Sequence, residues 1–268
     1  TVQSESDQRG YVLVAPLGLG REEPGNRFSS WSFQGSTTGL DGDGLNAAVS
    51  DDTEAICDDD MTTDYTYPSC EGIAENGCSW TQCSVDDVSF SEALVQEVSA
   101  NVCVDSDRVY AVGGSNGGMF VWDLGRGAKS AEVFTAVAPI LGLPHRGYLD
   151  PPISEGGMPV ISITGSRDRT VPPGDWEQGS FTTTSDGDVY YYSSASAITK
   201  VWAESQGCDT TVPAESIDVG SSSMECRGWS YCQSDSQWPP VLDCRGDMGH
   251  MYNLSSSWPL ILDFFEQL

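Results

Sequence analysis

Ser115 stands in the run Gly113-Gly-Ser-Asn-Gly117, after the strand-like run 108–112 and before the helix-like run 118–124. A serine hydroxyl is a poor nucleophile unless a base takes its proton and a sharp turn projects it clear of its neighbours. Gly113 and Gly117, with Gly114, supply positions without a Cβ on either side of that serine, so the run reads as a nucleophile elbow. The amide of Asn116 is then the backbone donor nearest a developing oxyanion. Acyl transfer further requires an imidazole, and an acid that holds the imidazole in one tautomer.

The chain has two histidines. His250 closes Gly246-Asp-Met-Gly-His250, beyond the last apolar strand and before the final helix. Asp168 follows the apolar run 159–164, at the strand end where open α/β sheets build their sites. Serine, acid and histidine thus occur in the chain order of α/β-hydrolases. Asp175 and Asp247 are weaker candidates for the acid. His145 precedes every such acid and reads instead as a loop or pocket residue, which with Trp31 and Trp176 makes a candidate substrate pocket.

These residues need a scaffold, and the periodicity predicts one. Residues 10–16 form a short apolar, β-branched run bounded by Gly and Pro, read as a buried strand. Residues 17–86 are rich in Gly, Ser, Thr, Asp and Cys, read as a disulfide-pinned insertion. A helix over 87–100 follows, with Val88, Phe90, Ala93, Leu94, Val95 and Val98 at helical spacing. Then come a strand at 109–112, a helix to about 125, strands at 136–141 and 159–164, and a helix over 194–205 with Ile198, Val201 and Trp202 inward. A late strand at 238–244 and a helix at 258–268 close the chain. Apolar strands alternating with helices indicate an α/β fold, a mostly parallel sheet covered by helices on both faces within a single domain.

Forty acidic residues against twelve basic ones leave a net charge of −28. That balance argues against binding nucleic acid or an anionic membrane, and no apolar stretch reaches the roughly 20 residues that span a bilayer. Nine cysteines without zinc spacing point to disulfides in an oxidising compartment. Cys57, Cys70, Cys78 and Cys83 form one group and Cys208, Cys226, Cys232 and Cys244 another, with pairing expected inside each group and Cys103 left over. Asn253-Leu-Ser255 is a glycosylation sequon. No signal peptide is present, so secretion implies that one has been removed. The acidic runs 41–44 and 58–60 lack the spacing of a calcium loop and read as solvated.

Beyond GxSxG, the segment 104–119 resembles the elbow of secreted polyhydroxybutyrate-depolymerase-like esterases, a group that includes feruloyl and acetylxylan esterases. Gly165-Ser-Arg-Asp168 with Val171-Pro172 is similar to their acid loop, Val201-Trp202 through Gly207-Cys208 to a shared helix end, and Gly249-His250 to their histidine loop. The run 10–16 followed by Ser30-Trp31 resembles a strand and Trp segment that follows their oxyanion strand. The resemblance implies an α/β-hydrolase fold and a secreted serine esterase needing no cofactor. It implies Ser115, Asp168 and His250 as the triad, with Asn116 at the oxyanion hole. It implies as substrate a feruloyl or acetyl ester of polysaccharide, or a short polyester.

The chain departs from that family in lacking a His-Gly motif, whose loop contributes a second oxyanion donor. Losing one such donor costs on the order of 3 kcal/mol, about a hundredfold in rate. Residues 17–20 could act as a divergent oxyanion loop, an upstream peptide could supply the missing N-terminal strands through a disulfide to Cys103, or the site could be degenerate. The last alternative makes the chain a catalytically weak or inactive extracellular binding or structural protein on a hydrolase fold.

Overall fold

The structure, a computed structural model, describes residues 1–18, 20–23, 26–33, 86–127, 130–145, 158–176, 179, 181–183, 190–232 and 236–268. Cys57, Cys70, Cys78, Cys83, the acidic runs 41–44 and 58–60, and most of the expected insertion lie outside those residues.

In chain order the elements are α1 (Val2–Gln8), β1 (Gly20–Glu23), β2 (Asn26–Ser29), α2 (Asp87–Asn101), β3 (Tyr110–Gly114), α3 (Asn116–Arg126), β4 (Ala136–Ile140), β5 (Val160–Gly165), β6 (Phe181–Thr183), β7 (Tyr191–Ser193), α4 (Ala195–Ser205), β8 (Glu215–Ile217), β9 (Glu225–Gly228), β10 (Val241–Gly246) and α5 (Leu254–Phe265). Six strands make one sheet in the order β3-β4-β5-β10-β9-β8. From β3 to β10 neighbours run parallel, while β9 and β8 add antiparallel strands at the far edge. β1 with β2, and β6 with β7, form separate antiparallel pairs.

The central strands are apolar on both faces because each face meets a helix layer. Val137, Val160 and Val241 enter one core with Trp122 of α3 and Trp202 of α4, whose rings meet edge to face at 4.9 Å. Ala138, Ile161 and Leu242 enter the other with Leu260, Ile261 and Phe264 of α5. The α/β fold and its two-sided covering are as the alternation predicts. Gly125 lets α3 lie close on β4, since a Cβ there would come within 3.0 Å of Val137.

The run 10–16 is corrected. It has no strand assignment, and Val12, Leu13 and Val14 are exposed. β-branched residues favour a strand only where a neighbour completes the hydrogen-bond ladder, and among the described residues none does. Tyr11 instead meets Tyr110 edge to face at 6.1 Å. Helix α2 matches its expected span, with the Asp86 side chain accepting from the Ser89 amide at 2.9 Å as its cap. Its apolar residues are less covered than the spacing suggested. Phe90 is exposed, and the buried positions are Asp87 and Ser91.

Helix α1 is polar and was not anticipated. Arg9 just beyond it holds it to α5, pairing with Asp263 at 2.6 Å and Glu266 at 3.2 Å. The C-terminal cysteines pair within their group, Cys208 with Cys232 and Cys226 with Cys244. The second bridge joins β9 to β10 at directly opposed positions. Cys103 is a free, exposed thiol.

Candidate active site

The turn between β3 and α3 is tight enough to force Ser115 to φ 52°, ψ −119°, a region costly for any residue with a Cβ. Its neighbours make that turn sterically possible. A Cβ on Gly113 would overlap the Gly117 carbonyl, and one on Gly142 would overlap the carbonyl of Ser115 itself. The Ser115 amide donates to the Ile140 carbonyl at 2.8 Å, tying the elbow to the end of β4.

Asp168 follows β5, with its carboxylate buried. Oδ1 accepts from the Thr170 and Val171 amides at 2.9 Å each, which leaves Oδ2 free to face the next loop. That loop follows β10. Ser166 N donates to Gly246 O at 2.9 Å and Arg167 N to Met248 O at 3.0 Å, so the two loops are joined backbone to backbone. Gly165 permits the approach, because a Cβ there would stand 2.6 Å from the Met248 carbonyl oxygen.

His250 therefore sits between the other two. Its Nδ1 lies 2.7 Å from Asp168 Oδ2 and its Nε2 lies 2.9 Å from Ser115 Oγ. With the proton on Nδ1 donated to the carboxylate, Nε2 accepts from the serine hydroxyl. Three side chains from the C-terminal ends of β3, β5 and β10 thus form one chain of hydrogen bonds. Such a chain can move a proton off a serine and stabilise the imidazolium that results.

The other expected positions fall in different places. Asn116 opens α3, where first-turn amides have no acceptor within the helix. Its side chain holds Trp31, accepting from Trp31 N at 2.7 Å and donating to Trp31 O at 3.1 Å. The Trp31 ring stacks on Phe120 at 5.4 Å and lies beside Gly117, so it borders the elbow. Gly18, from the expected 17–20 loop, packs on Ser30 and Trp31 and so lies near the elbow through Trp31.

His145 is a correction, since it has no exposed surface and cannot line a pocket. It stacks between Phe33 at 6.0 Å and Tyr192 at 5.0 Å, and burial pushes its pKa down to about 4. Trp176 lies between two guanidiniums, Arg227 at 4.3 Å and the buried Arg245 at 3.8 Å, and lines a cavity of about 320 Å³. Both guanidiniums hold that ring through cation–π contacts. Asp175 borders the same cavity, and Asp247 pairs at the surface with Arg167 at 2.6 Å. Asn253 caps α5, and its side-chain oxygen accepts from Ser255 Oγ at 2.9 Å.

One residue at the site was not anticipated. Tyr252 covers Gly114 and lies beside Ser115. Among the described residues no group of three or more His, Cys, Asp or Glu side chains could hold a metal ion. None of the described helices is long and apolar enough to cross a membrane.

Comparison with known proteins gives two distant relatives. Over 90 residues the chain is 39% identical to "Putative esterase NocK" of Nocardia uniformis subsp. tsuyamanensis, covering 32% of this chain and 24% of that protein. Over 153 residues it is 28% identical to "Feruloyl esterase B" of Piromyces equi, covering 53% of this chain and 26% of that protein. The chain spans about a quarter of the length of the curated relatives it matches. No protein-family model matches it, and no solved structure does. Both relatives are named as esterases.

Proposed function

We propose that this chain is a secreted serine carboxylesterase of the α/β-hydrolase fold, related to the polyhydroxybutyrate-depolymerase-like esterases. The observation that carries the reading is the unbroken hydrogen-bonded chain from Ser115 Oγ through His250 to Asp168. Support also comes from the strained elbow that presents the serine and from the two esterase-named relatives.

In this mechanism Ser115 Oγ attacks the ester carbonyl carbon as His250 Nε2 takes its proton. The carbonyl π electrons move onto oxygen, and the Asn116 amide donates to the resulting oxyanion. Asp168 keeps the imidazole oriented and stabilises its positive charge, without taking the proton. Collapse of the tetrahedral intermediate breaks the bond to the alcohol, which leaves with the proton from His250. Water, activated by the same histidine, then hydrolyses the acyl-enzyme.

The substrate class is a feruloyl or acetyl ester on polysaccharide, or a short polyester. A chain carrying −28 repels polyanions, so a neutral ester backbone suits it better than a pectin-like acidic one. The disulfides Cys208–Cys232 and Cys226–Cys244 fit an extracellular location.

The deciding experiment is labelling of the native protein by a fluorophosphonate probe, alongside hydrolysis of p-nitrophenyl acetate and methyl ferulate. Labelling and hydrolysis that both vanish in Ser115→Ala are the expected result. A wild-type protein that neither labels nor hydrolyses would overturn the esterase reading in favour of an inactive scaffold.

A further inference from the structure

Tyr252 belongs to the loop that carries His250, and its ring lies against the bare α-carbon of Gly114, the residue before the nucleophile. A Cβ at Gly114 would stand 2.8 Å from Tyr252 Cζ and 2.9 Å from its hydroxyl oxygen. The phenol also lies near enough to the Ser115 side chain to interact with it. With the Ser115 hydroxyl donating to His250 Nε2, a lone pair of Oγ stays open to a further donor such as the phenol. Tyr252 is about half exposed.

We propose that Tyr252 is a catalytic residue whose hydroxyl supplies a second hydrogen-bond donor to the reacting oxygens, complementing the Asn116 amide. The proposal rests on Ser115 acting as the acylated nucleophile. In the free protein the phenol stands at the elbow, over Gly114 and beside Ser115. When the Oγ–carbon bond forms, the carbonyl oxygen takes up the π pair and becomes anionic on the same carbon atom. The Tyr252 hydroxyl then turns to donate to that oxygen. Its proton stays on the phenol throughout, while the serine proton passes to His250 and on to the leaving alcohol.

Two features suit the residue to this task. Burial raises the phenol above its ordinary pKa of 10, so it remains a donor at any pH where an ester is hydrolysed enzymatically. Glycine at 114 is what allows the ring this close, for any side chain there would displace it. Asp168 faces the phenol at longer range and adds to the same upward shift.

The test compares Tyr252→Phe and Ser115→Ala with wild type, using p-nitrophenyl acetate as substrate. A trifluoromethyl ketone, whose serine adduct carries the oxyanion, serves as a probe. Tyr252→Phe keeps the ring against Gly114, so thermal melting should match wild type. Its kcat should fall about 100-fold with KM changed less than twofold, and the ketone should bind weaker by a similar factor. A kcat within twofold of wild type, or a loss confined to KM, overturns the role of Tyr252 while leaving Ser115 as nucleophile. Hydrolysis that persists in Ser115→Ala overturns the underlying reading instead.

Discussion

The Asn116 side chain binds Trp31 through both backbone groups, accepting from its amide at 2.7 Å and donating to its carbonyl at 3.1 Å. An amide side chain here completes the hydrogen bonding of a residue 85 positions away, as a neighbouring strand would. It also fixes the first residue of α3, whose own amide faces the proposed oxyanion. Asn116→Ala removes two hydrogen bonds and leaves the Trp31 groups to find water, a net cost of about 2 kcal/mol. Urea unfolding should show that loss, with esterase activity reduced as well. Asn116→Asp keeps the acceptor but loses the donor, and should fall between the two. Equal urea midpoints for wild type and Asn116→Ala would show that the Trp31 contact contributes nothing.

Asp168 uses its two carboxylate oxygens differently. Oδ1 is occupied by the Thr170 and Val171 amides, and Oδ2 alone meets His250. In Asp168→Asn the amide oxygen is expected to keep the backbone contacts, turning the NH₂ towards His250 Nδ1. That imidazole would then accept at Nδ1 and carry its proton on Nε2, the wrong tautomer to deprotonate Ser115. The expected outcome is a fall in kcat of about 10³-fold or more with near-native circular dichroism. Full activity in this variant would remove Asp168 from the mechanism.

The contrast between these two contacts explains what the sequence revealed. A buried parallel strand is apolar throughout and the elbow needs glycine, so β3, β4, β5, β10 and the Ser115 turn were legible as local patterns. Asp168 and His250 were placed by their position after strand ends. The antiparallel strands β8 and β9 were missed because Glu215, Glu225 and Arg227 interrupt any apolar alternation. Helix α1 was missed for a similar reason, since its attachment comes from ion pairs between Arg9 and α5. Residues 10–16 failed in the opposite sense, having strand propensity without a partner among the described residues. His145 was misread as a pocket residue and Tyr252 went unread, for nothing local separates a buried imidazole from an exposed one or shows which side chain covers Gly114.

His145 makes the protein's stability depend on pH. Its pKa falls from 6.5 to about 4 on folding because burial disfavours the charged ring. The unfolded chain therefore binds a proton more readily, and the stabilising effect of a neutral His145 is complete above pH 6.5. As pH falls from there towards 4 that effect is lost, amounting to about 3 kcal/mol. His145→Phe, which keeps an aromatic ring between Phe33 and Tyr192, should flatten this part of the curve. Urea midpoints measured from pH 7 to pH 4 check it, and an unchanged slope in the variant would assign the acid sensitivity to other groups.

Gly142 should prove as intolerant as the elbow glycines themselves. It sits two residues past β4, beneath Ser115, and a Cβ there would overlap the Ser115 carbonyl and approach Met119 N to 2.7 Å. Both neighbours are backbone, so neither can rotate away. Gly142 also offers its carbonyl to Trp122 Nε1 at 3.0 Å, which hinders it from retreating. Gly142→Ala must therefore lift the elbow or push α3 along its axis. Overpacking of this kind costs about 1–3 kcal/mol, and misplacing the nucleophile by about 1 Å can cost roughly a hundredfold in rate. The matched control is Gly179→Ala, where an added Cβ meets nothing within 4 Å. Melting temperature and phosphonate labelling rate should both drop in the first variant and hold in the second. If Gly142→Ala labels at the wild-type rate, the elbow is not braced from below by this glycine.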